Sequence, residues 1–387
     1  MKIAIYGGSF NPPHLGHIKA AETVSRELSP DVFLIIPDNI PPHKEMYALS
    51  PTPEERMELC RLSFGHIKGA EISDMEIKRE GKSYTYDTVS AIRGKYPDDE
   101  LFLVMGTDML LSFEAWYHFR YLLENCTLAV LARADGDNAD ITRHAEYMRA
   151  QYGAKIEILT HEPFEVSSTD VRERLQRRMG ADMIGEKAYA LIIKNGWYGA
   201  QPELIWLREQ AYTYLKPSRI AHVAGCESEA VMLANLHGED AEKAATAGIL
   251  HDITKKLTVD EQLILCDKYG IINSASELNA PQVLHAKTGA CFAAETFGIS
   301  EDICEAIRWH TTGKPDMTLL EKIVYLADFV EPTRDFPGVD ELRELAYEDV
   351  DKAMARALEL SLDYIRAEGG TPIKDTVDAC QWYNCLE

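Results

Sequence analysis

The chain opens with a short apolar run that leads directly into glycines, prolines and histidines, and no other segment constrains the fold as much. Residues 3–6 are Ile-Ala-Ile-Tyr, and residues 7–17 read GGSFNPPHLGH. The pattern predicts a buried strand, a turn whose glycines let backbone amides approach an anion, and a helix that begins near Pro12 and Pro13. A chain that begins this way is expected to bind phosphate at the end of its first strand.

Two histidines three residues apart follow the predicted turn. This spacing places His14 and His17 on one face of the helix at its positive end, where they would hold a polyphosphate and stabilise its developing charge. No lysine follows the glycines as a P-loop would require. The arrangement indicates nucleotidyl transfer, in which a phosphate of one substrate attacks the α-phosphate of ATP. The alternative is a strand–turn–helix corner with two capping histidines.

The length of 387 residues favours two domains. In the first, apolar runs that alternate with helical patterns predict parallel strands, and these lie at 32–36, 101–105, 128–132 and 156–159. A helical run at 186–194 ends at Asn195-Gly196, and a breaker follows, so we place the boundary at 199–203 and the domains at 1–200 and 203–387. Beyond the boundary amphipathic segments replace strands, at 203–215, 241–251, 302–310 and 319–330. The second domain is expected to be all-α.

Composition excludes several classes of partner. The net charge of −23 disfavours nucleic acid, because an acidic surface repels a phosphate backbone. The chain has no run of eighteen apolar residues and no signal peptide, so we expect a cytoplasmic protein without a membrane partner. Its eight cysteines form no C-x-x-C pair, which is typical of apolar fillers in a reducing compartment. Any metal is therefore expected on histidine and aspartate.

A second phosphate-binding pattern occupies residues 166–172, which read VSSTDVR. It places hydroxyl groups at a predicted helix start, with Arg172 one turn in, an arrangement suited to the β- and γ-phosphates of ATP. With the opening motif it resembles the HxGH nucleotidyltransferases, specifically the bacterial nicotinate-nucleotide adenylyltransferases, although Val166 replaces the isoleucine of their ISSTxxR signature. The resemblance implies a doubly wound parallel sheet and a reaction of ATP, with Mg²⁺, and nicotinate mononucleotide that gives nicotinate adenine dinucleotide and pyrophosphate.

The same resemblance implies roles for individual residues. The catalytic set would be His14, His17, Lys44 and Arg172, with Lys44 over the reacting phosphates and His17 supporting the adenylyl group. The residues implied to bind ATP are Gly7, Gly8, Ser9, Phe10, Gly106, Asp108, Arg133, Ser167, Ser168 and Thr169. Those implied to bind the nicotinate nucleotide are Thr85, Trp116 and Tyr117. Trp116 would stack on the pyridine ring, and the alternative for it is an ordinary core tryptophan.

Six histidines and aspartates recur in the helical segments of the second domain, namely His222, His251, Asp252, His285, His310 and Asp328. Six ligands suit two ions, because one carboxylate such as Asp252 can bridge two metals. Nitrogen and oxygen donors without thiolate favour iron or manganese over structural zinc. A single helical histidine is more often a packed or capping residue, but six in this order indicate a metal centre.

The ordered set resembles the HD-domain phosphohydrolases. The phrases RIAH at 219–222, HDITK at 251–255, WHT at 309–311 and YLAD at 325–328 resemble the subgroup of symmetrical diadenosine-tetraphosphatases. This implies two divalent metals, iron first and manganese as the alternative, and cleavage of diadenosine tetraphosphate into two ADP. Lys255 would be catalytic, and Arg219, Thr311 and Arg334 would bind substrate. Because other HD domains act on dNTPs or alarmones, the substrate follows from the resemblance alone.

Two other interpretations of the second domain stay open. It could be a sensing module that binds an adenine dinucleotide without hydrolysing it, although the complete ligand set argues against this. It could also hydrolyse the dinucleotide that the first domain makes. The sequence leaves open the physiological metal, communication between the two sites, and whether the chain forms a homo-oligomer.

Overall fold

The computed structural model describes residues 1–41, 45–133, 138–162, 164–272 and 274–384, with only the backbone of residues 133 and 138. The chain folds into two compact units, Met1–Gln201 and Pro202–Glu387. Among the described residues, every helix is too short or too polar to cross a lipid bilayer.

The first unit alternates strands and helices. Its strands are β1 (Lys2–Gly8), β2 (Val32–Pro37), β3 (Ala70–Ile72), β4 (Glu100–Gly106), β5 (Thr127–Arg133) and β6 (Lys155–His161). Its helices are α1 (Leu15–Leu28), α2 (Pro53–Phe64), α3 (Thr85–Lys95), α4 (Thr107–Leu111), α5 (Phe119–Asn125), α6 (Asn138–Tyr152), α7 (Ser168–Leu175) and α8 (Glu186–Asn195). The predicted α/β class is confirmed.

The strands form one parallel sheet in the order β3-β2-β1-β4-β5-β6. Ile5 of β1 lies opposite Leu34 on one side and Leu103 on the other. Successive side chains of β1 and β4 enter two different cores, so both faces of the sheet are buried and the strands are apolar throughout. Strand order reverses between β1 and β4. Ligands of open α/β sheets bind at such a point, outside the carboxyl ends of the strands.

The sequence interpretation was wrong about where α1 begins. The helix begins at Leu15, and His14 is its N-cap residue in an extended conformation with φ of −139°. The residue before a proline is disfavoured in helical conformation, so Pro12-Pro13 delays the helix. The short strand β3 was not predicted, because its three half-buried or exposed residues carry no apolar run. The predicted end of α8 is confirmed, with Gly196 at φ of +61°.

The second unit contains only helices among its described residues. They are α9 (Leu204–Thr213), α10 (Pro217–His237), α11 (Ala241–Leu250), α12 (Val259–Lys268), α13 (Ala275–Leu278), α14 (Leu284–Phe297), α15 (Glu301–Trp309), α16 (Leu319–Val330), α17 (Val339–Glu348), α18 (Val350–Ala367) and α19 (Lys374–Asn384). Local signals fix their ends: Asp240 caps α11, and Thr318 with Glu321 forms a capping box on α16. The predicted all-α class is confirmed.

Candidate functional sites

The turn after β1 is built around one aromatic side chain. Phe10 is buried at a positive φ of 42°. A Cβ atom on Gly8 would lie 3.1 Å from the Phe10 ring, so a larger residue here would require the ring to shift. The Ser9 hydroxyl donates to Asp38 at the end of β2 over 2.9 Å. Gly7, Gly8, Ser9 and Phe10 therefore form a fixed turn at the carboxyl edge of the sheet.

His14 and His17 meet at the start of α1, as expected from their spacing. Their ring centroids are 3.7 Å apart, and the backbone N–H of His14 donates to Nδ1 of His17 over 3.3 Å. Gly16 lies between them, where a Cβ would come within 3.1 Å of the His14 ring. Burial lowers the pKa of His14 to about 4, so this imidazole is neutral at pH 7.

The second phosphate-binding segment packs against the first. Ser167 caps α7, and the Ser168 hydroxyl donates to the carbonyl of Pro12 over 3.2 Å. Arg172 donates to the carbonyl of Asn11 over 2.6 Å and to Thr169 over 3.0 Å. The N-terminal ends of α1 and α7 thus meet at one place, where their unpaired N–H groups favour an anion.

The remaining positions implied for ATP lie on neighbouring strands. Gly106 is the N-cap of α4 and Asp108 lies in its first turn, both directly after β4. Arg133 is the last residue of β5, which pairs with β4. The sheet therefore brings these backbones to the same carboxyl edge as the β1 turn. Lys44 lies outside the described residues.

The residues implied for the nicotinate nucleotide gather in an aromatic cluster. Thr85 begins α3, and the adjoining Tyr84 ring lies 5.0 Å from the ring of Tyr117, which is exposed. Trp116 is half-buried and packs on Phe113 at 5.2 Å, against the core of the sheet. The alternative of a core tryptophan thus has direct support, whereas Tyr117 is free to contact a ligand.

In the second unit the six predicted metal ligands lie close together. Three of them are on α10, α14 and α16, and the other three lie in the residues that follow α11 and α15. Nε2 of His222 lies 3.3 Å from Nε2 of His251 and 3.0 Å from a carboxylate oxygen of Asp328. Nε2 of His285 lies 3.1 Å from Nε2 of His310, and Asp252 lies between the pairs. All six residues are buried or nearly so.

Charge within this cluster is balanced by protons. Burial disfavours the charged forms, but Asp328 and Cys226 outweigh it and raise the pKa of His222 to about 9. Burial also opposes ionisation of Asp252, yet His251 holds the pKa of that carboxyl well below its usual range. Burial, with the nearby charges of Lys255 and His310, lowers the pKa of His285 to about 4. Divalent ions that bind here would replace the imidazole protons.

Three cationic side chains surround the donors. Arg219 donates to Asp252 over 2.5 Å, Arg334 donates to the carbonyl and carboxylate of Asp328, and Lys255 lies 3.1 Å from Nε2 of His285. Each is partly exposed, so each can reach both the cluster and a ligand outside it. The Thr311 hydroxyl oxygen is buried without a hydrogen-bond partner among the described residues.

Known proteins match each unit separately. A family model described as cytidylyltransferase-like matches residues 5–174, and one described as an HD domain matches residues 219–333. A probable nicotinate-nucleotide adenylyltransferase of Fusobacterium nucleatum is 38% identical over 197 residues, covering 50% of this chain and 98% of that protein. A symmetrical bis(5'-nucleosyl)-tetraphosphatase of Bacillus subtilis is 35% identical over 180 residues, covering 45% of this chain and 96% of that protein.

The chain belongs to the nicotinate-nucleotide adenylyltransferase family through its first unit and to the symmetrical bis(5'-nucleosyl)-tetraphosphatase family through its second. Both resemblances predicted from the sequence are thereby confirmed. An HD superfamily hydrolase of Clostridium acetobutylicum, described as involved in NAD metabolism, is 36% identical in its crystal structure and covers 47% of this chain and 96% of its own, with a TM-score of 0.46.

The HD unit's donors fit a metal centre. Nδ1 of His251, His285 and His310 each lies 2.6–2.8 Å from a backbone carbonyl three residues earlier, so Nδ1 carries the proton and Nε2 is left to face the cluster. Nδ1 of His222 bonds to the buried Glu331 over 2.9 Å, which is the carboxylate–histidine contact that orients metal ligands. Cations bound between the donors would account for nitrogen atoms that face one another at 3.1–3.3 Å.

Three supporting residues were missed in the sequence. Glu331 lies one turn after Asp328, and that spacing was an available signal. Arg56 is fully buried and donates to the Ser9 and Asp38 carbonyls, both over 2.7 Å, but nothing in its local sequence marks it. Cys226 is buried, as expected of an apolar filler, but its Sγ also lies 3.4 Å from Nε2 of His222, a contact that the sequence pattern did not indicate.

Proposed function

We propose that the first unit transfers the adenylyl group of ATP to nicotinate mononucleotide, releasing pyrophosphate. The observation that carries this proposal is the meeting of the β1 turn, the histidine pair and the N-terminus of α7. Membership of the nicotinate-nucleotide adenylyltransferase family supports the choice of acceptor. Under this assignment residues 1–200 form the adenylyltransferase domain.

The roles follow from charge and position. Backbone amides of Gly8–Phe10 and the hydroxyls of Ser167–Thr169 would hold the triphosphate, with Mg²⁺ bound to it. His14, which is neutral at pH 7, and His17 would donate hydrogen bonds to the α-phosphate as charge develops, and Arg172 would neutralise the leaving pyrophosphate. The acceptor's own phosphate is the nucleophile, so no residue needs to form a covalent intermediate. We assign Thr85 and Tyr117 to the nicotinate nucleotide; Lys44 and Arg133 remain assigned by resemblance.

The test of this proposal compares His17→Ala with a matched control, His66→Ala. His66 is an exposed histidine paired with Glu22, remote in sequence from the turn. We expect His17→Ala to lower dinucleotide formation from ATP and nicotinate mononucleotide by about 10²- to 10³-fold, the usual loss of one transition-state hydrogen-bond donor. His66→Ala should keep full activity. Full activity in a folded His17→Ala protein would overturn the assigned role.

We propose that the second unit, residues 203–387, hydrolyses diadenosine tetraphosphate symmetrically to two ADP with two divalent ions. The carrying observation is the convergence of four imidazole Nε2 atoms on Asp252 and Asp328. Two bound ions would supply an activated water and balance charge on the phosphates, with iron the first expectation and manganese the alternative. Family membership supports the substrate.

This chain's own residues bind and orient the polyphosphate. Arg219, Arg334 and Lys255 lie at the edge of the cluster and are partly exposed, so they would contact phosphate oxygens. Lys255 also lies close to His285 and Asp252, where it would neutralise the leaving ADP. The Thr311 hydroxyl would donate a further hydrogen bond to substrate.

The test is to give diadenosine tetraphosphate to the purified chain reconstituted with Fe²⁺ or Mn²⁺ and to resolve the nucleotides produced. Two ADP per substrate are expected. AMP with ATP would contradict the symmetric cut, and no turnover with either metal would favour the sensing alternative. Nicotinate adenine dinucleotide is included in parallel, because its cleavage would support the product-hydrolysing alternative.

A further inference from the structure

A thiol lies inside the HD unit's donor cluster, and neither the ordered motif nor the family resemblance accounts for it. Cys226 stands four residues after His222 on α10, so both side chains occupy the same face of the helix. Only 2% of the residue is exposed. Its Sγ, Nε2 of His222 and His251, and a carboxylate oxygen of Asp328 all lie within 4.8 Å of one another.

The spacing of these four atoms matches that of ligands around one ion. Metal–nitrogen bonds of about 2.0–2.1 Å and metal–sulfur bonds of about 2.3 Å place tetrahedral nitrogen ligands roughly 3.3 Å apart and nitrogen and sulfur roughly 3.6 Å apart. The two Nε2 atoms are 3.3 Å apart, and Sγ lies 3.4 Å from Nε2 of His222 and 3.9 Å from Asp328. The thiol thus lies where a further ligand would bind.

Other contacts of Cys226 do not account for this position. The one carbonyl that its thiol reaches among the described residues, that of Ala327, is 3.8 Å away, which is long even for a sulfur donor. The other three donors also converge here: the Nε2 atoms of His222 and His251 face one another at 3.3 Å, and the Asp328 carboxylate lies 3.0 Å from Nε2 of His222, which completes a set of four donors around one position.

We propose that Cys226 is a thiolate ligand of the ion held by His222, His251 and Asp328. This inference rests on the metal centre proposed above. It divides the centre into two unlike positions, since the second group of donors, Asp252 and His310 with His285 3.1 Å from His310, includes no sulfur donor among the described residues. A thiolate favours zinc, cobalt, cadmium and ferrous iron over manganese and magnesium. The expectation of a centre without sulfur is revised accordingly.

The experiment titrates Co²⁺ into the metal-free full chain and records its absorption spectrum. A sulfur-to-cobalt charge-transfer band in the near ultraviolet reports a thiolate ligand, whereas the visible bands report Co²⁺ binding with any ligands. Wild type is compared with Cys226→Val and Cys226→Ser. The matched control is Cys266→Val, because Cys266 is a comparably buried cysteine of α12.

We expect the charge-transfer band in wild type and in Cys266→Val, and its loss from both Cys226 variants, which retain the visible bands. Affinity for Cd²⁺ should fall by about tenfold or more in Cys226→Val, with little change for Mn²⁺. Visible bands without a charge-transfer band in wild type would overturn the inference and leave the metal centre intact. Absence of any Co²⁺ binding would overturn both. If one Cys226 variant fails to fold, the other still locates the thiolate, and absence of the band from wild type overturns the inference without any variant.

Discussion

His14 of the first unit and His222 of the second lie in opposite electrostatic environments. In the first, His14 is buried beside a fixed backbone turn, and burial lowers its pKa to about 4. In the second, burial acts on His222 in the same direction, but Asp328 and Cys226 outweigh it and raise the pKa to about 9. The first site is therefore a neutral pocket of hydrogen-bond donors for an anion, and the second is a cluster of charges that metal ions would compensate.

The sites also differ in how the chain builds them. The phosphate pocket is assembled from short segments at strand–helix junctions, in which neighbouring residues in sequence are neighbours in space. The metal cluster draws single side chains from helices that extend from His222 to Asp328. Each of these segments supplies several neighbouring donors at once, and the fold has only to bring two such segments together. A site of converging donors depends on the packing of the whole helical unit and on its ions.

The largest effect is expected from Asp252→Asn, which tests whether one carboxylate serves the whole cluster. Asp252 lies within 4.0 Å of all four cluster histidines. Removing its charge should abolish binding of at least one ion and lower diadenosine tetraphosphate hydrolysis by about 10³-fold or more. Metal content and ADP release are measured beside Asp267→Asn, a control on α12. Two retained ions with normal turnover would refute the bridging role.

The next effect concerns pH and the first unit alone. Because the pKa of His14 is about 4 in the folded chain and its ordinary value is 6.5, the unfolded state binds the proton first as pH falls. Stability should therefore decline from about pH 6.5 to pH 4, by up to about 3 kcal/mol. Thermal unfolding in phosphate-free buffer is compared between wild type and His14→Asn. The difference between them should change over this range; a constant difference would contradict the neutral, buried imidazole.

Adding metal ions should raise the thermal stability of the second unit and leave that of the first unchanged. An ion that binds only the folded second unit stabilises it by about 2.7 kcal/mol at one hundred times its dissociation constant. We expect Zn²⁺ or Mn²⁺ to raise the unfolding temperature of the second unit and EDTA to reverse the change, while the unfolding of the first unit stays where it was. Differential scanning calorimetry of the full chain measures both. Equal shifts in both transitions would show that the ions do not bind the cluster specifically.

A smaller effect is expected from Glu331→Gln, which tests whether Glu331 orients His222 as a metal ligand. Glu331 is fully buried and accepts a hydrogen bond from His222 and from Thr333. Loss of its charge should weaken metal binding by about 10- to 100-fold, as is usual for the carboxylate behind a histidine ligand. Metal affinity is measured by competition with a chelating dye, with the exposed Glu344→Gln as control. Unchanged affinity would make Glu331 a packing residue only.

The fold class of each unit was predictable from the sequence, but for different reasons. Parallel strands buried on both faces are apolar throughout, so β2, β4 and β5 stand out, whereas the half-exposed β3 carries no such pattern. The second unit was predicted because amphipathic segments replace strands, and the residues of α16 coincide with the predicted 319–330. The start of α1 was misplaced because Pro12-Pro13 was interpreted as the first helical turn, where a missing N–H costs nothing, whereas the chain stays extended through His14.

The sites were predictable to the extent that their residues carry a local pattern. His14 and His17 belong to a motif of eleven contiguous residues, and the six metal donors recur in short phrases. Arg56 and Cys226 carry no such phrase, because a buried guanidinium and a buried thiol are defined by what packs around them. Such contacts depend on residues that are distant in the sequence, so they become visible only in the folded structure.

The most direct test of the account measures both reactions on the same preparations of wild type, His17→Ala and Asp252→Asn, with Mg²⁺ and the second-unit metal present. We predict that His17→Ala loses nicotinate adenine dinucleotide synthesis and keeps diadenosine tetraphosphate hydrolysis, while Asp252→Asn shows the reverse. That result would assign one independent active site to each unit. Loss of both activities in either folded variant, or of neither in both, would contradict the account.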